Sequence, residues 1–114
     1  MADFYCDVMG QPTINRVAGV AGASGDNTLI AAPGAGNRLA ILYEHIQNES
    51  ATATTAQIKH GSTVVARKAL AQYAEYERDH TVYPVLLPEN TAYVLNLSGA
   101  NNHGYTLEYT IVPV

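Results

Sequence analysis

The sequence predicts an all-β fold, a single-domain β-sandwich or jelly roll behind a short N-terminal arm. Short runs alternate apolar and polar residues, Gly, Pro, Asn and Ser cluster between them at sandwich spacing, and 114 residues make one domain. A chain of this length buries roughly two thirds of its unfolded surface. Residues 1–12 are assigned to the arm and residues 13–114 to the sandwich. Apolar residues at 47% against charged ones at 14% favour a packed core over disorder.

The first 37 residues are rich in Gly and Ala, with Gly19, Gly22 and Gly25 three apart. Without proline that spacing makes no collagen repeat, so it predicts turns around one or two strands. No Lys follows Gly25 as a phosphate loop requires. "PGAGNRLAIL" lacks the third glycine of a dinucleotide turn and leads into a strand where that motif needs a helix. "GASGDNT" lacks the spaced acids of a calcium loop, and a turn at Asp26 and Asn27 explains it.

From Arg38 the pattern sharpens. "NRLAILYEHI" is apolar at first on both faces, as in a strand central to its sheet. Ala56 and Ile58, then Gly61-Ser62, then Val64 and Val65 predict a hairpin. Pro84 and Pro88 bound a short run suited to a sheet edge, because proline donates no ladder hydrogen bond. At the end, Tyr93, Leu95 and Leu97 alternate, as do Tyr105, Leu107, Tyr109 and Ile111. They predict two strands paired in one wall, opposite a wall holding "RLAILYEHI", with the loop "SGANNHG" and His103 outside.

Residues 66–80 fit either element. Helix formers dominate, with Ala66, Leu70, Tyr73 and Glu77 at helical spacing. Read as strand, Tyr73, Glu75, Glu77 and Asp79 share one side and Ala74, Tyr76, Arg78 and His80 the other. The first of these is a charged face that is solvated or meets a partner.

The chemistry-bearing residues are dispersed. His45, His60, His80 and His103 show no paired ligand spacing, so no metal and no cofactor are expected. Glu75 and Glu77 point side by side and do not flank a substrate. No Ser sits in a nucleophile elbow, and Cys6, the single cysteine, has no base at hand. The chain is expected not to be an enzyme. A lone cysteine makes no disulfide within the chain, which favours assembly in a reducing compartment. A net charge of −4 without a run of Lys or Arg argues against nucleic acid, and no segment is long and apolar enough to span a bilayer as a helix.

A resemblance completes the reading. An Arg-led strand, a Thr/Ala-rich turn, the "KHGST" hairpin and the ending Leu95, Asn96, Leu97, Ser98, Ala100, Gly104, Thr106, Leu107 and Tyr109 resemble small phage virion proteins of the head decoration or cement type. The resemblance covers residues 37–112 and departs from the family in the first 36 residues and in "AEYERD". It implies a decoration protein on the outer surface of an assembled phage head, bound to the major capsid protein as a homotrimer and assembled in the host cytoplasm. Phe4, Tyr5, Val8 and Met9 of the arm, with Tyr73 and Tyr76, are the expected capsid or subunit contacts. The alternative is a glycan-binding or adhesion module of another virion structure such as a tail or fibre, with Tyr73, Tyr76 and Tyr83 as a sugar platform.

Overall fold

The strands alternate between two walls. The structure is a computed structural model that describes residues 13–114. Its strands are β1 (Asn15–Ala21), β2 (Gly25–Ile30), β3 (Asn37–Asn48), β4 (Thr54–His60), β5 (Thr63–Leu70), β6 (Glu75–Asp79), β7 (Val85–Leu86), β8 (Tyr93–Leu97) and β9 (His103–Pro113), with no helix among the described residues. One sheet has the order β1-β9-β3-β6, with β7 also on β3, and the other β2-β8-β4-β5. Every pairing is antiparallel. Apart from the β4–β5 hairpin and the short step from β6 to β7, each connection crosses from one sheet to the other. This order is that of a jelly roll, so the predicted β-sandwich is the observed architecture.

Local chemistry explains the elements. The β4–β5 hairpin closes at Gly61-Ser62, where Gly61 takes a φ of 64° that a two-residue hairpin turn requires. In "PGAG", Gly34 and Gly36 also adopt positive φ, and their amides donate to the Asn90 and Glu89 side chains. That stretch is therefore a turn tied to the β7–β8 connection. Asp26 and Asn27, expected in a turn, lie in β2. The Asn27 side chain closes the preceding turn by accepting from the Ala23 amide and donating to the Ala23 carbonyl.

The core lies between the inner faces. Leu39, Ile41 and Ile46 of β3 and Leu107 of β9 face Ile58, Leu95 and Leu97 of the opposite sheet, all nearly or fully buried. Each such side chain contributes about 2 kcal/mol through loss of apolar surface to water. Val17, Tyr105 and Tyr109 pack at its margin.

Two expectations are corrected and one open element is resolved. The strands β8 and β9 do not pair: β8 lies between β2 and β4, and β9 between β1 and β3. Their apolar faces meet across the core, and "RLAILYEHI" shares a wall with β9. His103 is fully buried where β9 begins, with Nδ1 donating to the Asn101 carbonyl at 2.7 Å. Residues 66–80 form the end of β5, a turn and β6, because both strands find a partner at a sheet edge and tertiary pairing outweighs local helix propensity.

Candidate assembly surface

The edges formed by β5 and by β6 with β7 lie on one side of the sandwich, and β5 and β6 are only slightly in contact. Between them lies an apolar seam too narrow to admit water, formed by Ile46, Ala56, Ile58, Ala66, Leu70 and Tyr76, with Arg67 and Lys68 beside it. Arg78 lies over the Tyr76 ring, 4.7 Å from its centre, in cation–π geometry.

The β6–β7 edge is one strand interrupted. Asp79 pairs with Tyr43 of β3, and Val85 with Ile41, so β7 resumes the path of β6 after residues 80–84 loop outward. The base of this loop is fixed. The His80 amide donates to the Leu42 carbonyl at 2.7 Å, and the Asp79 carboxylate accepts from both the amide and the hydroxyl of Thr81. Those two bonds, the backbone one first, hold the Asp79 pKa below the ordinary carboxylate value.

A buried polar cluster ties the loop to the core. A register shift between Ile41 and Tyr43 changes the phase of β3 and turns Glu44 inward, where it is 6% exposed, an expensive place for a carboxylate unless its oxygens are satisfied. The Tyr93 hydroxyl, from the opposite sheet, donates to its Oε1 at 2.5 Å, and His80 Nε2 lies 2.6 Å from Oε2. Burial, then the charge and hydrogen bond of Glu44, push the Tyr93 phenol well above its ordinary pKa. His60 stacks at a tilt on Tyr93, 6.2 Å between ring centres, and burial lowers its pKa. Carboxylate, imidazole and phenol spend their hydrogen bonds on one another, so the cluster serves as a clasp. Sequence reading missed it because its members lie 36 and 49 positions apart; the available signal was a carboxylate in a strand that starts apolar on both faces, and the register shift after Ile41 hides which face it takes.

What the clasp holds out is apolar. Val82 and Tyr83, at the loop tip, are 78% and 85% exposed, and Val64, Val65 and Leu86 on the same two edges are also exposed. Unpaired strand edges with exposed apolar side chains are sites where chains associate.

The expected contact residues fare differently. Phe4, Tyr5, Val8 and Met9 lie outside the described residues. Tyr73 is exposed in the turn between β5 and β6, whereas Tyr76 is half-buried against the core, which raises its pKa. Tyr73 and Tyr83 lie beyond opposite ends of β6, so the three tyrosines do not form one sugar platform. Among the described residues no group of His, Cys, Asp and Glu has the geometry to hold a metal ion.

The chain matches no protein-family model and no curated protein. Among solved structures it is similar to a chain of Bacillus endospore appendages, described as a novel family of disulfide-linked pili, with a TM-score of 0.55 and 16% identity over 99% of both chains. The likeness is one of fold, and it runs from end to end. It overturns the expectation of a phage capsid decoration protein on the head surface: the similar fold belongs to an appendage.

Proposed function

We propose that this protein is the repeating structural subunit of a pilus-like surface appendage outside the cell, built from copies joined through the β5/β6–β7 side. The observation that carries the proposal is the end-to-end match in fold to an appendage chain, with neither chain left over. The apolar side supports it independently. Val82 and Tyr83 stand on a loop whose base is fixed by Asp79, His80 and Glu44, so little entropy is lost when they are covered.

One cysteine limits how copies are joined. A polymer linked by disulfides along its whole length needs at least two cysteines per subunit, and these 114 residues contain only Cys6. Copies of this chain therefore cohere by non-covalent contacts, with at most one disulfide each. Repetition makes modest contacts sufficient, because each subunit in a row is held by two neighbours.

Negative-stain electron microscopy of the purified full chain, concentrated with and without reductant, tests the proposal. Filaments or ordered rings in both conditions are expected. Particles of single-subunit size at every concentration would overturn it.

A further inference from the structure

The outer face of the β1-β9-β3-β6 sheet carries a shallow concavity of about 280 Å³ lined by residues of β1, β3 and β9 and by Glu49. Its floor is bare for a reason in the register. Gly104 of β9 sits between Val20 of β1 and Gln47 of β3, and the next row is Ala18, Thr106 and His45. The middle strand thus presents no side chain and then a small one, and Ala18 keeps the β1 side of the second row low, so the floor is walled mainly by β3. A Cβ on Gly104 would come within 2.5 Å of the Glu49 carboxylate, so the missing side chain is what lets that carboxylate lie over the floor.

The wall is polar and partly preset. His45 and Gln47 of β3 and Glu49 just past its end form it, with His45 Nε2 3.5 Å from Glu75 of the neighbouring strand. Gln47 donates to the carbonyl of Tyr73 at 3.3 Å, which places the β5–β6 turn at the rim. Tyr73 is 60% exposed and holds a φ of 59°. That left-handed conformation belongs to the tight turn closed by the Ala74 amide on the Ala71 carbonyl, which brings Ala74 against the core and leaves the Tyr73 side chain outside. The turn thus leaves an exposed aromatic near a polar hollow, the mixed lining that small-molecule sites use.

We infer that this concavity binds a neutral sugar residue of a glycan, with Glu49, Gln47 and His45 taking the hydroxyls and Val20 and Tyr73 offering apolar surface at the rim. A pyranose has hydroxyls that donate to carboxylates and an apolar C–H face, and the concavity offers a counterpart to each. Charge selects against acidic sugars. Glu49, Glu75, Glu77 and Glu108 share this outer face against two arginines, Arg16 opposite Glu108 and Arg38 near the start of β3. The potential registers on Tyr43, whose phenol is pushed up to about 12 by its hydrogen bond to Glu77, with burial and the charges of Glu77, Glu75 and Glu108 adding to it.

Titration of the full chain, labelled with ¹⁵N, with methyl glycosides of glucose, galactose, mannose and N-acetylglucosamine, and with sialic acid as the charged comparison, tests the inference. At least one neutral glycoside is expected to shift amides of Ala18, Gly104, Thr106, Gln47 and Glu49 with a roughly millimolar Kd, as a shallow site allows. Sialic acid should leave them in place. Gly104→Ala keeps a negative φ and displaces only the flexible end of Glu49, so it should fold and weaken binding about tenfold or more. Glu49→Ala, at an exposed position, gives the same readout if the first variant fails to fold. No shift with any of the four glycosides, shifts elsewhere, or binding unchanged in both variants would overturn the inference.

Discussion

Tyr93 and Glu44 meet across the middle of the jelly roll, the phenol of one sheet donating to the buried carboxylate of the other at 2.5 Å. This bond and the contact from His80 to the second carboxylate oxygen join the two walls and the projecting loop at a single point. Tyr93→Phe keeps the ring and removes the donor, which leaves a buried oxygen unsatisfied. Chemical denaturation should show a loss of about 1–3 kcal/mol, and hydrogen exchange should quicken at residues 80–84. A variant as stable as the parent would show that the clasp contributes nothing.

Alkaline pH should act through the same phenol. Folding raises the Tyr93 pKa above its ordinary 10.0, so the folded chain keeps a proton that the unfolded chain gives up. The resulting stability is whole below about pH 10 and is lost as pH climbs beyond it. Absorbance titration should find Tyr43 and Tyr93 among the last phenols to ionise, with unfolding as Tyr93 does so. Ionisation of all eight tyrosines near pH 10 without unfolding would contradict this.

Leu97 is 1% exposed and faces the core from β8, so Leu97→Asp forces a carboxylate among apolar neighbours. The cost of several kcal/mol is comparable to the stability of a domain this size. Circular dichroism should find the variant unfolded at room temperature. Val82→Asp, at the exposed loop tip, should melt within about 0.5 kcal/mol of the parent.

Gly61→Ala probes the β4–β5 turn. The positive φ strains any other residue, and a Cβ there would stand 3.1 Å from the Thr91 methyl group. Loss of about 1 kcal/mol or more is expected, read as a lower Tm. An unchanged Tm would place the turn outside the cooperative unit.

Residues that act through local rules were legible in the sequence, and those that act through distance were not. Alternation in "RLAILYEHI", glycine at position 61 and the prolines at 84 and 88 each identified an element that the fold contains. The same alternation left β8 and β9 ambiguous. An apolar face looks identical whether the next strand pairs beside it or faces it, and the loop between them is long enough for either. Residues 66–80 stayed open between helix and strand, since Ala, Leu, Lys and Glu favour helix until two sheet edges offer them partners. His103 looked like a loop residue because its neighbours are Asn and Gly, yet it opens β9 inside the core. The resemblance to phage decoration proteins drew on strand and turn patterns that many jelly rolls share, and such patterns specify the fold without its function.

Sedimentation velocity over a wide concentration range, comparing the wild type with the Val82→Asp, Tyr83→Asp double variant, tests the central claim that copies associate through the β5/β6–β7 side. The wild type is expected to grow into large species as concentration rises, while the equally well-folded variant remains a monomer. A wild type that stays monomeric throughout, or a variant that assembles as the wild type does, would contradict it.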